Sequence, residues 1–490
     1  MSEASDNDRQ WRELLDELER RQRAARAMGG TDKIARQHAR GRLDVRARLD
    51  ALYDAGSFVE YGSLAGGCPP DGGAPVPADG VVTGVGTIGG RTVAAMAEDF
   101  TIQGGSIGHV GHAKRSRIVT LAAERSLPLV LLLDGAGERA SNALERYAFA
   151  PNDLQLLADL RGRVPVVALV LGASAGHGAL SGLFADFIVM TDGAALFTAG
   201  PPLVKAAIGV DVDPETLGGA DVHVRTSGVA HNRAGDEPGA FALARTFFDL
   251  VLSPDHAGDP GAHDEGPRRI EAMLELVPRN VHRPYDVRDV VASIADADSV
   301  LELQPEFGGA MVTALVRLGG RTTLVVANQP SVMAGSITRD ASEKATHFLR
   351  VAAHHRLPVV FLADNPGVLA GPEAERAGTI RAAAEMFVAQ RALRSTKIHV
   401  TLRRAFGFGS SLMGMNPFDR QTVSLAFPGI ALGGVPAASG AEAAGADDSL
   451  AAQLDSNQQA AWSAADNNSY DRVIDPRNLR NEILLALADG

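Results

Sequence analysis

VTGVGTIGGRTVAAMAEDFTIQGGSIGHVGHAK, residues Val82 to Lys114, and VTALVRLGGRTTLVVANQPSVMAGSITRDASEK, residues Val312 to Lys344, are two versions of one segment set 230 residues apart. Each runs from an apolar stretch through Gly-Gly-Arg-Thr, a second apolar stretch and Gly-Ser-Ile to a lysine. The register continues without a gap: LAAERSLPLVLLLDGAG (Leu121 to Gly137) falls on VAAHHRLPVVFLADNPG (Val351 to Gly367), pairing Pro128 with Pro358, Asp134 with Asp364 and Gly137 with Gly367. Upstream, YDAGSFVE (Tyr53 to Glu60) meets ADADSVLE (Ala295 to Glu302) at an offset of 242, and the Gly/Pro-rich loop GGCPPDGGAPVPAD absorbs the extra residues.

Self-similarity at one long offset means two copies of one folding unit. Within each copy, apolar strands, Gly-rich turns and a lysine-bearing helix alternate, which predicts an α/β fold built twice by internal duplication. The stretch SPDHAGDPGAHDEGPR (Ser253 to Arg268) has the composition of an exposed linker. A cut near Pro260 gives domains 1–259 and 260–490. A helical N-terminal arm and a C-terminal helix, NLRNEILLALADG, flank the repeats.

The chain has 490 residues, 45% hydrophobic and 22% charged, the composition of an ordinary globular protein of two or three domains. No apolar run approaches the roughly 18 residues of a membrane span, so no membrane partner is expected. The N-terminus is charged and helix-periodic rather than signal-like, and there is one cysteine, Cys68. Both point to a cytoplasmic protein without a disulfide framework. The net charge of −12 and the scattered basic residues argue against nucleic acid as a partner.

The segment VLGASAGHGAL (Val170 to Leu180) contains Gly172-Ala173-Ser174-Ala175-Gly176, which fits the G-x-S-x-G elbow of serine hydrolases. The repeat answers this. Its partner is Phe406-Gly407-Phe408-Gly409-Ser410, and Arg404 or Ala405 stands where Ser174 stands. What recurs is Gly-x-Gly between a strand and a helix, an arrangement that presents backbone N–H groups to a developing oxyanion. Ser174 is then a small residue packed under the turn. Asp134 and Asp364 end apolar strands, where a carboxylate commonly caps the next turn. Lys114 and Lys344 recur at one repeat position, open to helix packing, subunit contact or a phosphate. His109, His112, His223 and His231 lack the spacing of a ligand set, and no metal is expected.

Over nearly its entire length the chain resembles the carboxyltransferase β subunits of biotin-dependent acyl-CoA carboxylases, such as propionyl-CoA carboxylase. The resemblance is carried by GGTDKIARQHARGRLDVRARLDALYDAGSFVE, DFTIQGGSIGHVGHAK, LDGAGERAS, LGGADVHVRTSGVAH, ANQPSVMAGSITRDASEKATHFL, DNPGVLAGPEAE and VIDPRNLRNEILLAL. It implies two tandem crotonase-like (ClpP/crotonase) domains, the first binding a short or medium acyl-CoA and the second carboxybiotin, with the active site between halves of two protomers in a dimer or hexamer. It further implies that the amides of Gly176 and His177 hold a thioester enolate and those of Phe408 and Gly409 the ureido oxygen of biotin. Gly137, Arg139 and Gly178 are the implied acyl-CoA contacts, and Ser411 lines the acyl/biotin pocket. None of the five lysines sits beside a methionine as a biotin acceptor does. Biotin is therefore expected in trans, on the carrier of a biotin carboxylase/biotin carrier α subunit.

Four departures from the family pattern stand out. The N-half turn has Gly176-His177 where Gly-Gly is usual, the C-half turn has Gly407-Phe408-Gly409, and Glu385 stands where a lysine is common. LAFPGIALGGVPAASG is also shorter than its counterpart. Phe408 and Glu385 sustain an alternative: a catalytically weakened structural subunit paired with a paralogous β subunit in a mixed complex.

Overall fold

The computed structural model describes residues 3–66, 76–144, 152–253, 266–415, 420–443, 445 and 461–489. The chain divides into two compact units, Met1–Phe248 and Asp249–Gly490. Cys68 and the cut expected near Pro260 lie outside the described residues.

Among the described residues, the first unit holds nine strands: β1 (Val59–Tyr61), β2 (Val81–Ile88), β3 (Arg91–Glu98), β4 (Leu129–Leu133), β5 (Val166–Val170), β6 (Ala173–Ala175), β7 (Phe187–Thr191), β8 (Ala195–Phe197) and β9 (Asn232–Ala234). Its main sheet has the order β1-β2-β3-β4-β5-β7-β9, antiparallel through the β2–β3 hairpin and parallel from β3 onward. β6 and β8 form a separate parallel pair. Strand β4, LVLLL, is buried at every position, because a parallel strand covered on both faces has no solvent side to leave polar. Its apolar side chains join those of β3, β5 and the helix His109–Arg125 in one core.

The second unit repeats the plan with β10 (Leu301–Leu303), β11 (Met311–Leu318), β12 (Arg321–Asn328), β13 (Val359–Asn365), β14 (Lys397–Phe406), β15 (Val423–Ala426), β16 (Ala431–Gly433) and β17 (Arg472–Val473). The sheet order is β10-β11-β12-β13-β14-β15-β17, with β16 paired to the far end of β14. The duplication reaches the hydrogen-bond register. Val81 pairs Glu98 and Ala94 pairs Leu129 in the first unit; Met311 pairs Asn328 and Leu324 pairs Val359 in the second, each residue shifted by 230.

The repeated lysines perform one task in both copies. Lys114 donates to the carbonyls of Ala78, over 3.0 Å, and Val81. Lys344 donates to those of Gln304 and Phe307, over 3.1 and 2.6 Å. Each buried amine thus ties a crossover helix to the chain entering the hairpin, and burial lowers their pKa values to about 8 and about 7. Of the readings open from sequence, helix packing is the one these contacts match.

Candidate active site

In each unit a Gly-x-Gly turn joins a strand to a short helix. In the first, Gly176 follows β6 at φ +53 and opens the helix Gly176–Gly182; in the second, Gly407 follows β14 at φ +56 and opens the helix Gly407–Leu412. Left-handed backbone favours glycine, and the amides of a helix's first turn have no acceptor within the helix. The equivalent residues are Gly176 and Gly407, His177 and Phe408, Gly178 and Gly409. The amide pairs expected from sequence, Gly176/His177 and Phe408/Gly409, are therefore out of step by one residue.

A second glycine packs against each turn. A Cβ on Gly137 would stand 2.5 Å from the Ala175 carbonyl oxygen, and one on Gly409 would stand 2.6 Å from Asn365 Oδ1 and 2.9 Å from Gly367 Cα. Gly178 is equally confined, since its Cβ would meet Glu98 Oε1 at 2.8 Å. These close approaches explain why Gly137, Gly178 and Gly409 are glycine.

Behind the first turn lies a charged network. Asp153, fully buried at the start of the helix Asp153–Leu160, accepts from Arg115 Nε at Oδ2 over 2.7 Å, and its Oδ1 lies 2.7 Å from His177 Nε2. His112 sits between two carboxylates, with Nδ1 3.5 Å from Asp153 Oδ1 and Nε2 2.9 Å from Glu138 Oε2. The two imidazoles meet edge to face at 5.0 Å. Arg115 also reaches Glu98 Oε1 at 3.1 Å and Ser181 Oγ at 3.2 Å. Burial opposes charge on His112, but hydrogen bonds to Asp153 and Glu138 outweigh it and hold the imidazole above its ordinary pKa. Burial likewise works against the Asp153 carboxylate, and hydrogen bonds from His112 and His177 with the charge of Arg115 keep it far below the usual range. Burial pushes the Glu98 carboxyl up despite Arg115.

Sequence reasoning assigned His177 only its amide and missed Asp153, Arg115, Glu98 and Glu138. These come from separate segments, and no local pattern joins them. The one hint was Arg115 three residues after His112, which places both on one helical face.

The remaining expected residues are placed as follows. Ser174 is fully buried in β6 and its Oγ has no hydrogen-bond partner, so it has neither access nor a base. Arg139 is committed inside the unit: Nη1 to Asp79 Oδ1 at 2.5 Å, Nη2 to the Ser106 carbonyl at 2.8 Å and Nε to Ser106 Oγ at 3.2 Å. That geometry makes it a brace for the turn bearing Gly137. Asp134 and Asp364 hold arginines: Asp134 accepts from Arg48 Nη1 at 2.9 Å, and Asp364 from Arg403 Nε at 2.6 Å and Arg404 Nε at 3.0 Å. His223 bonds the Leu196 carbonyl, and His231 Nδ1 accepts from the Ile188 amide, so both serve the scaffold.

In the second unit, Phe408, Ser411 and Leu412 line an apolar cavity of about 420 Å³ with Ile380, Ala383 and Phe387. The Phe408 side chain is 56% exposed there. Glu385 forms an exposed ion pair with Arg350 at 2.6 Å.

Residues 36–488 match the family model described as the carboxyl transferase domain. The chain is 34% identical to the methylmalonyl-CoA decarboxylase subunit alpha of Veillonella parvula, over 81% of this chain and 79% of that one. It is 33% identical to the propionyl-CoA carboxylase beta chain of Roseobacter denitrificans, over 97% and 96% of the two chains. A solved structure of transcarboxylase 12S, in a hexamer with methylmalonyl-CoA and methylmalonic acid bound, superposes with a TM-score of 0.89 at 32% identity, covering 97% of this chain and 94% of that one. Match length, identity and superposition agree with the duplicated fold and its paired turns: the chain belongs to the carboxyl transferase family, on the crotonase-like fold of its carboxyltransferase β subunits.

Proposed function

We propose that this chain transfers a carboxyl group from carboxybiotin, carried by a partner subunit, to the α-carbon of a short or medium acyl-CoA. The observation that carries the reading is the pair of equivalent Gly-x-Gly turns, each opening a helix with donors where negative charge would develop. Amides at the first turn, Gly176 and His177, would hold the thioester oxygen as the α-proton passes to the biotin nitrogen that has given up the carboxyl group. A preorganised donor of this kind contributes about 3 kcal/mol to a barrier by analogy with measured oxyanion holes. Gly137 and Gly178 keep this turn closely packed, and Arg139 positions the loop carrying Gly137.

The second turn and its cavity fit biotin. The apolar walls of Ile380, Ala383, Phe387 and Leu412 suit its hydrocarbon body, and the amides of Phe408 and Gly409 suit its ureido oxygen, with Ser411 at the rim. Biotin, when bound, supplies the activated carboxyl group. The chain's own part is to orient it and to keep water from the enolate. The partners in this reading are acyl-CoA, a biotin carboxylase/biotin carrier α subunit and further copies of a β subunit, in the cytoplasm.

The test is ATP-dependent bicarbonate fixation on a series of acyl-CoAs with a biotinylated carrier present or absent. Carrier-dependent carboxylation is expected, with no covalent biotin on this chain by streptavidin blotting. Carboxylation by the chain alone would overturn the assignment. The exposed Phe408 ring favours a second reading, a structural β subunit with weakened turnover in a mixed complex. A Phe408→Ala variant that gains carrier-dependent turnover over an inactive parent would select it.

A further inference from the structure

We propose that His112, His177 and Glu138 form a binding site for one divalent first-row transition-metal ion, of the zinc class, in the first unit. The three side chains come from the helix His109–Arg125, the helix Gly176–Gly182 and the segment after Gly137, and they offer ligand atoms that all lie within 4.8 Å of one another. Zinc bonds imidazole nitrogen and carboxylate oxygen at about 2.0–2.2 Å, so ligands around it stand roughly 3.3 Å apart. His112 Nε2 and Glu138 Oε2 are already 2.9 Å apart. Glu138 is half-exposed, so its carboxylate can turn and an ion can enter without opening the core.

The donor set identifies the ligand class. Two imidazoles and one carboxylate suit zinc, iron, nickel or copper, whereas magnesium and calcium take oxygen. Three protein donors also leave coordination positions open, as in zinc sites that polarise a carbonyl or a water rather than in closed structural sites.

The surroundings are built as an outer shell. Metal-bound histidines usually give their second nitrogen to a carboxylate. Asp153 lies against both imidazoles and is itself fixed by Arg115, while Asn142 Nδ2 donates to Glu138 Oε1 over 2.5 Å. Every candidate ligand is thereby oriented by a neighbour that is not a ligand.

The second unit supplies an internal control. The positions equivalent to His112, Glu138 and His177 are Ser342, in the helix Arg339–His355, Val368, directly after Gly367, and Phe408, in the helix Gly407–Leu412. The scaffold therefore stands without the donors, and they are particular to one half. The sequence reading expected no metal because His109, His112, His223 and His231 lack the spacing of a ligand set; the fold sets His112 against His177, from a distant segment.

The test uses the full chain, stripped with a chelator, dialysed against zinc and quantified by elemental analysis. Cobalt substitution provides a visible spectrum as a second readout. One equivalent per chain is expected. His177→Phe, which copies the second unit, and Glu138→Gln, at a half-exposed side chain, should each weaken binding at least tenfold with circular dichroism unchanged. His282→Ala, at an exposed histidine of the other unit, should bind as the parent does. Substoichiometric zinc in the parent, or binding unaltered in both the His177 and Glu138 variants, would show a hydrogen-bonded cluster only and overturn the proposal.

Discussion

Arg115 and Asp153 form a fully buried ion pair, Nε to Oδ2 at 2.7 Å, immediately behind the turn that begins at Gly176. The remaining polar atoms of both side chains are engaged, Arg115 on Glu98 and Ser181 and Asp153 on His177. Removing one member of such a pair strands the other in a dry interior. Arg115→Met should destabilise the chain by about 3–5 kcal/mol. The first denaturant transition reads this; an unmoved midpoint would contradict it.

Ser174 is predicted to be dispensable. Its hydroxyl is buried and unpaired, so Ser174→Ala removes an unsatisfied polar group and should leave stability unchanged or raise it by about 1 kcal/mol. Carrier-dependent turnover should stay near the parent's. Abolished turnover in a folded, assembled variant would restore the nucleophile.

Gly137 and Gly367 are equivalent in sequence and unequal in confinement. A Cβ at Gly137 would fall 2.5 Å from the Ala175 oxygen, whereas one at Gly367 would find its nearest atom, the Phe406 oxygen, at 3.6 Å. Both have positive φ, +81 and +120, so alanine strains either by about 1–3 kcal/mol. Only Gly137→Ala must also displace the turn. It should lower turnover more than tenfold, with Gly367→Ala closer to the parent, and equal losses in the two variants would refute the difference.

His399 sets an acid limit on the second unit. Burial lowers its pKa from the ordinary 6.5 to about 4, with Nδ1 at 2.8 Å from the Met413 carbonyl and Nε2 at 2.7 Å from Thr401 Oγ1. Between those values the unfolded chain takes up a proton that the folded chain refuses, so stability falls as pH drops from about 6.5 toward about 4. At 1.36 kcal/mol per unit the loss is about 3 kcal/mol. Denaturation at pH 7 and pH 4.5 should show a smaller acid loss in His399→Gln than in the parent. An identical loss in both would contradict this.

The duplication was legible because it lies in strand patterns, turns and one lysine that recur at a fixed offset. The same offset governs strand register, since the Gly-Gly turn that fixes the pairing of each hairpin, Gly89-Gly90 and Gly319-Gly320, recurs at that offset. The Gly-x-Gly turns were legible for a local reason, glycine between an apolar run and a helix. The correspondence of Gly176 with Gly407 follows from that pattern; the conformation that makes both glycines necessary, φ +53 and +56, does not show in it. The cluster around Asp153 was illegible for a different reason. Glu98, His112, Glu138, Asp153 and His177 are ordinary polar residues until five segments converge, and pairwise charge satisfaction in a buried site leaves no periodic trace.

The two lysines that brace the crossover helices have a consequence for handling the protein. With Lys114, Lys344 and Lys397 all buried, Lys33 and Lys205 are the lysines that solvent reaches, and both belong to the first unit. Amine-directed reagents will decorate that unit and leave the side chains of the second unmarked. A chain coupled to a surface through its amines will be held by its first half, with the cavity around Phe408 free of the attachment chemistry.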